Sequence, residues 1–378
     1  MTAVQTAEDF QNQTLPFVSR TFALTIPQLP ESLRSAVTNA YLLCRIADTI
    51  EDEPAVSPPE TIALMQRFKD AVAGRADPAA LVRDLAPLLS DRTLPAERDL
   101  VIHMERVISV TASFDAPQRK AIERCVELMC VGMPHFQFNA SLRGLPRMTD
   151  LDDYCYYVAG VVGEMLTELF CCHSAQIARH REQLESLAES FAQGLQMTNI
   201  LKDVWEDRSR GVCWFPQSVF TRHGVDLAQV AAEPHDPRFA AGLRELVGIA
   251  HAHLRNALEY TLLIPTNEPG IRRFLLWAVG LAVLTLRKIE QNPDFTAGVQ
   301  VKVPRSAVAM TRICTDLGLR RNWLLRVLFR YAARGLPLAQ LGVLRRHRGE
   351  QDLVPPAGNQ DLVNDTTERT GTYGNARR

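Results

Sequence analysis

The chain has 378 residues, 46% of them hydrophobic and 22% charged, and its 42 lysines and arginines offset 43 aspartates and glutamates to a net charge of -1. That composition is ordinary for a globular chain and supplies apolar material for a large core. The near-neutral balance argues against nucleic acid as a main partner, because neutralising phosphates takes a clear basic excess.

Near the start, Glu8 and Asp9 interrupt any apolar run, so no export signal is expected. Apolar spacing of three and four then predicts helices over 31–53, 60–74, 79–88, 95–112, 116–139, 149–179, 182–208, 238–262, 269–290, 305–315 and 319–332. Strand signals are scarce. Pro30 and Pro54 bracket the first of these helices, and breaks fall at Pro58-Pro59, Gly144–Pro146, Gly211–Pro216 and Pro265–Gly270. None of these breaks is long enough to be a linker. The expected organisation is all-α, with one helical domain over 1–350 and a polar tail over 351–378 expected to be disordered. The longest apolar run, Phe274–Leu286, falls short of the ~20 residues that cross a bilayer. A cytoplasmic protein without a transmembrane segment is therefore expected. Basic clusters at Arg320–Arg330 and Arg345–Arg348 read as solvated helix faces or as a peripheral contact with an anionic membrane. Eight cysteines without a CxxC pair read as small buried groups in a reducing compartment.

Two acidic motifs stand out, Asp48-Thr49-Ile50-Glu51-Asp52 and Asp203-Val204-Trp205-Glu206-Asp207, both of the form DxxED. On a helix Asp48 and Asp52 share a face with Glu51 beside them, and Asn199, Asp203 and Asp207 form a ladder at i, i+4 and i+8. Such like-charge spacing is unfavourable unless something compensates it. Asp48 and Asp52 also continue the apolar stripe of Leu33, Val37, Tyr41 and Cys44, which turns them inward, where carboxylates must be paired or metal-bound. Mg²⁺ suits them, since it takes one or two carboxylates and completes its shell with water and phosphate oxygens. One such cluster alone would read as a solvated face; two matching ones point to a diphosphate held through metal. Arg20, Arg45, Lys202 and Arg208 accompany the acids, and Gln196 shares the face of Asn199 and Asp203. They could bind oxygens that metal leaves free.

The segment Tyr154–Gly163 places Tyr154, Val158 and Val161 on one face. A core helix accounts for its small and apolar residues but less well for three tyrosines in four positions. A buried tyrosine offers a hydroxyl for proton transfer and a ring face for a nearby cation. His251 and His253 do not share a face, and Glu164 and Glu168 lack the Glu-x-x-His partners of a di-iron bundle. No Gly-rich phosphate loop or nucleophile elbow is present.

Together these residues resemble the squalene and phytoene synthase family from Ser19 to about Leu336. The marks are Ser19-Arg20-Thr21-Phe22, Arg45 with Asp48–Asp52, Tyr154–Gly163, Asn199–Asp207 and Trp214-Phe215-Pro216. The form DTxED, the stretch Leu275–Ile289 and Val301-Lys302-Val303 with Arg305 look like the squalene branch. The resemblance implies a single-domain isoprenoid-synthase helical bundle around a central apolar channel. It implies two farnesyl diphosphates as substrates and Mg²⁺ held by Asp48, Glu51, Asp52, Asn199, Asp203 and Asp207. Substrate contacts would come from Ser19, Arg20, Phe22, Tyr41, Arg45, Val158, Gln196, Lys202 and Arg208, and Tyr154 would assist proton transfer. NADPH would bind at Lys302 and Arg305 and drive a second, reductive step to squalene. Rival readings stop at a dehydrogenated product without NADPH, stop at the cyclopropyl diphosphate, or keep the fold as a non-catalytic adaptor. One position departs from the family: Val212 follows Gly211 where many members carry arginine, and Arg210 is the neighbouring cation that could take its place. Oligomeric state is left open.

Overall fold

Proline starts many of the helices this chain forms. Pro58, Pro78, Pro95, Pro237 and Pro269 each sit in a first turn, where the missing N–H has no helical partner to lose. The computed structural model describes residues 3–19, 21–231 and 236–341. The described residues form helices, turns and an isolated bridge between Leu145 and Pro216, with no strand among them. The principal helices are α1 (Ala3–Val18), α2 (Glu31–Glu51), α3 (Pro58–Val72), α4 (Met104–Ser113), α5 (Ala116–Phe138), α6 (Met148–Cys155), α7 (Val161–His173), α8 (Arg181–Lys202), α9 (Val204–Ser209), α10 (Pro237–Leu263), α11 (Pro269–Gln291), α12 (Arg305–Gly318) and α13 (Asn322–Ala332). All the described residues belong to one compact unit, Met1–Gly342. The tail expected over 351–378 lies outside the described residues.

At the centre α8 packs along α10 and α7, while α5 packs against α7, α3 and α2. Gly163 lets α7 and α8 touch, since a Cβ there would stand 2.5 Å from the Ala188 carbonyl oxygen. A buried polar knot ties the N-terminal helices together. Asn39 donates to Gln11 Oε1 at 2.8 Å and to the Val107 carbonyl at 2.7 Å, and accepts from Thr111 at 2.9 Å. Buried amides of this kind persist because each polar atom is satisfied. That knot accounts for α1, which apolar periodicity does not announce: its inward face includes the polar Gln11 and Thr14.

The predicted helices recur with three informative breaks. The helix expected over 95–112 divides at His103. The one expected over 149–179 carries a π turn at Tyr156–Gly160 between α6 and α7, a wider turn often found at functional sites. The one expected over 182–208 ends at Lys202, with Asp203 at φ -95° and ψ 12° before α9 begins. By length and composition, two helical stretches could cross a bilayer, Met148–His173 and Pro269–Gln291, and just over half of each apolar window is buried within the bundle. Counting only the uncharged run Phe274–Leu286 understated the second, which continues through charged residues to Gln291.

Candidate active site

The first acidic motif ends a helix, and the second bridges the end of α8 and the first turn of α9. Asp48 and Glu51 occupy the last turn of α2 and Asp52 is its C-cap; Asn199 lies in the last turn of α8 and Asp203 is its C-cap. Carboxylates there oppose the negative end of the helix dipole as well as one another. Only Glu206 and Asp207, in the first turn of α9, are locally favoured, so compensation for the rest must come from what the tertiary structure gathers around them. The bend at Asp203 keeps the ladder intact: Asp203 N–H donates to the Asn199 carbonyl at 2.8 Å and Asp207 N–H to the Asp203 carbonyl at 2.9 Å.

The two motifs line one cavity of about 1180 Å³. Of the residues expected at the site, Arg45, Asp48, Glu51, Asp52, Tyr154, Val158, Gln196, Asn199, Lys202, Asp203 and Asp207 all line it. Met133, Phe138, Ile200 and Trp214 supply much of its apolar wall.

Burial pushes the Asp48 carboxyl up to about 6, with Arg45 opposing the shift and Asp52 and Glu97 adding to it. Its side chain nonetheless keeps 31% of its surface accessible, because it faces the open cavity rather than packed protein. Glu51 is pushed well up by burial and by Asp48 and Asp52. Burial likewise raises Asp52, which Arg210 and Arg45 oppose. It raises Asp203 against Lys202, and Asp207 against Arg210, with Asp52 adding to the repulsion at Asp207. The next acid along, Glu53, behaves oppositely. Against the push of burial, hydrogen bonds from Thr93, Ser90 and Ala55 hold it below the usual range, and it serves as a loop anchor.

Crowded, half-desolvated oxygen donors on two facing segments fit a hard divalent cation. Among the described residues no three His, Cys, Asp or Glu side chains converge tightly enough to hold an ion by themselves. An ion here would therefore draw on one or two of them together with water and ligand oxygens, as Mg²⁺ does.

The cations divide into two groups. Arg45 reaches Asp48 at 3.7 Å and Glu97 at 3.8 Å, and Lys202 reaches Asp203 at 3.0 Å. Arg210 bonds Asp207 at 2.5 Å and lines the cavity with Val212. Arg208 turns away, donating to the carbonyls of Leu142 and Val230, and is absent from the cavity wall. Its neighbour Arg210, rather than Arg208, is the cation that α9 sends to the site.

Ser19, Phe22 and Tyr41 stand behind the wall. Ser19 accepts from the Phe22 N–H at 3.0 Å, Phe22 packs on Tyr41 at 5.0 Å between ring centroids, and Tyr41 donates to the Val18 carbonyl at 3.0 Å. Arg45 Nη2 then donates to the Tyr41 hydroxyl at 3.2 Å, so this chain of contacts aims the arginine. Arg20 lies outside the described residues.

Tyr154 stacks on Trp214 with centroids 4.1 Å apart and planes 9° from parallel, and meets Phe136 edge-on at 5.5 Å. Burial, with Glu51 adding to it, holds its phenol well above the ordinary tyrosine value. The group is therefore a protonated donor at neutral pH, beside carboxylates. Lys302 and Arg305 are exposed and stand outside the cavity wall. The loop before them is bonded to the second acidic motif, with Trp205 Nε1 donating to the Phe295 carbonyl at 2.6 Å. Two exposed cations on a held segment suit the phosphates of a dinucleotide.

Sequence reasoning missed Glu97, Arg92 and Gln137, which also line the cavity. They carry no motif and come from other parts of the chain, so only folding reveals them.

An all-helical fold that turns two DxxED motifs onto one cavity is the architecture of isoprenoid synthases. The family model for squalene/phytoene synthases matches residues 15–307, and the chain belongs to that family. A squalene synthase of a Phoma species is 30% identical over 283 residues, covering 74% of this chain and 64% of that relative. Squalene synthase 1 of Arabidopsis thaliana is 28% identical over 298 residues, 77% of this chain and 67% of that relative. The chain thus spans under two thirds of the length of the Phoma relative. Among solved structures, TcSQS with a bound ligand superposes with a TM-score of 0.68 at 23% identity, covering 87% of this chain and 98% of the other. Squalene synthase HpnC from Alicyclobacillus acidocaldarius gives 0.56 at 17% identity, covering 78% and 96%. Both share the fold.

Proposed function

We propose that this protein is a prenyltransferase that joins two farnesyl diphosphates head to head to presqualene diphosphate and then converts that product reductively to squalene. The observation that carries the reading is the meeting of Asp48, Asp52, Asn199, Asp203 and Asp207 on one cavity with Arg45, Lys202 and Arg210 among them. The cavity volume exceeds the ~300–1,000 Å³ common for a single small ligand, which supports room for two prenyl chains. The curated relatives carry the name squalene synthase, which supports the same branch.

Mg²⁺ bound at these carboxylates would neutralise a diphosphate leaving group, the Lewis-acid contribution to breaking its carbon–oxygen bond. The chain's own cations orient the diphosphate: Arg45, aimed by Tyr41, from one side and Lys202 and Arg210 from the other. Met133, Phe138, Val158 and Ile200 keep water from the allylic carbon, since water would trap the cation as an alcohol. The second double bond forms the new carbon–carbon bond, and a proton is lost as the cyclopropane closes. Tyr154 stands at the wall as a protonated phenol, so its part is to relay a proton between the closing ring and a nearby basic oxygen, with its ring face and that of Trp214 stabilising positive charge. NADPH would supply the hydride of the second step, with Lys302 and Arg305 as its phosphate contacts. The reading carries with it a cytoplasmic enzyme.

Product analysis with farnesyl diphosphate and Mg²⁺, with and without NADPH, tests this. Squalene formed only with NADPH is the expected result. A cyclopropyl diphosphate or dehydrosqualene unchanged by NADPH moves the chain to another branch of the family. Absence of diphosphate release with both farnesyl and geranylgeranyl substrates overturns the enzymatic reading.

A further inference from the structure

Among the described residues, Arg45, Arg92, Lys202 and Arg210 are the cations that line the cavity. Three of them are already answered by acids: Arg45 by Asp48 and Glu97, Lys202 by Asp203, and Arg210 by Asp207. Arg92 has no carboxylate partner among the described residues, although Glu53 and Glu97 line the same cavity. A solvated arginine on a free loop would carry no information, because such side chains are ordinary on protein surfaces. The loop that carries Arg92 is not free.

Glu53 directly follows Asp52 and is 4% exposed. Its carboxylate accepts from the Ser90 N–H at 2.9 Å and from the Thr93 hydroxyl at 2.6 Å, on either side of Arg92. Arg98 Nη2 holds the same loop from the other end, donating to the carbonyls of Leu89 and Ser90 at 2.9 Å each. A buried carboxylate is tolerated only when its oxygens are bonded in this way. The backbone of Arg92 is therefore fixed to the end of the first acidic motif, while its guanidinium stays open to the cavity. A cation positioned beforehand loses less freedom when it binds an anion.

The two diphosphates of the proposed condensation have opposite needs. The one that leaves must be neutralised by metal, which promotes ionisation. The acceptor keeps its diphosphate until the cyclopropane has closed, so its oxygens call for a cation without that Lewis-acid pull. A guanidinium can hold two phosphate oxygens at once and does no such chemistry.

We propose that Arg92 holds the diphosphate of the second, acceptor farnesyl diphosphate, on a loop that Glu53 fixes to the first acidic motif. This rests on the two-substrate reading above and deepens it. Arg92 touches the substrate; Glu53 is a positioning residue that acts through the loop.

Calorimetric titration of the full chain with farnesyl thiodiphosphate and Mg²⁺ tests it, since sulfur in place of the bridging oxygen keeps the ligand from ionising. The wild type should bind two molecules. Arg92→Gln, which removes an exposed side chain and should leave circular dichroism unchanged, is expected to weaken the second molecule about tenfold and leave the first as it was. Glu53→Ala should weaken the second molecule similarly, and the double variant should lose no more than either change alone, because both act on one contact. Losses that add in the double variant overturn the part given to Glu53. A wild type that binds one molecule, an Arg92→Gln that binds two as tightly as the wild type, or one that loses both equally overturns the part given to Arg92. A wild type that binds none overturns the proposed function itself, and this inference with it.

Discussion

The Gly298 N–H donates to Glu206 Oε1 at 2.8 Å, joining the loop before Lys302 to the second acidic motif. The approach is close enough that a Cβ on Gly298 would stand 2.9 Å from the Lys202 carbonyl oxygen and 3.3 Å from Asp203 Oδ1. Glu206 thus holds a loop while lining the cavity alongside Asp203 and Asp207 of the same motif. The proposed reductive step depends on this joint more than the condensation does. Glu206→Gln keeps an acceptor and should keep the product ratio. Gly298→Ala, which presses on backbone that cannot yield, should accumulate the cyclopropyl diphosphate at the expense of squalene. Chromatography of both products checks this, and an unchanged ratio in Gly298→Ala would separate the loop from the second step.

Asp203→Ala removes a carboxylate whose ionised form burial disfavours. The fold should therefore survive, with an unchanged helical circular dichroism signal, while diphosphate release falls by roughly 10³-fold or more, the scale expected for losing a group that stabilises developing charge. Wild-type release in this variant would sink the metal assignment.

Tyr154→Phe keeps the ring that stacks on Trp214 and deletes only the hydroxyl. Formation of the cyclopropyl intermediate should fall by about 10²-fold, the lower range for a positioned proton-transfer group. Single-turnover measurement of that intermediate checks it, and a near-normal rate clears the hydroxyl of the role.

Asp48 gives the pH dependence its sign. Its folded value of about 6 lies above the ordinary 3.8, so between these values the folded state binds a proton that the unfolded state has lost. Stability of the metal-free protein from this group is greatest at low pH and declines as pH rises through 6. Asp48→Asn should therefore stabilise the chelator-treated protein at neutral pH by about 1 kcal/mol, discounted for the carboxylate's partial exposure. Urea unfolding should show the gain shrinking on acidification, and Mg²⁺ affinity of the wild type should weaken below about pH 6, where protons compete for the same oxygen.

Arg210 bonds Asp207 and lines the cavity beside Val212. Arg210→Ala should raise the KM for farnesyl diphosphate about tenfold, the loss of one charge-assisted contact, and adding Val212→Arg should restore it. Steady-state kinetics of the single and double variants decides between this and a purely structural bond.

Periodicity and motif spacing by themselves determined the all-helical class, most helix limits and the two acidic motifs with Tyr154, because these are local properties: which residues share a helical face follows from a 3.6-residue turn. Tertiary structure alone decided what those groups face. Arg208 and Arg210 are equivalent as sequence, yet carbonyls of distant loops engage one while the other reaches Asp207. Glu51 and Glu53 are two residues apart, yet burial beside Asp48 and Asp52 raises one while hydrogen bonds from Thr93, Ser90 and Ala55 lower the other. Glu97 carries no signal at all until folding brings it within 3.8 Å of Arg45. Electrostatic environment depends on neighbours through space, and desolvation depends on everything packed around a group, so neither is written in the spacing of residues along a chain.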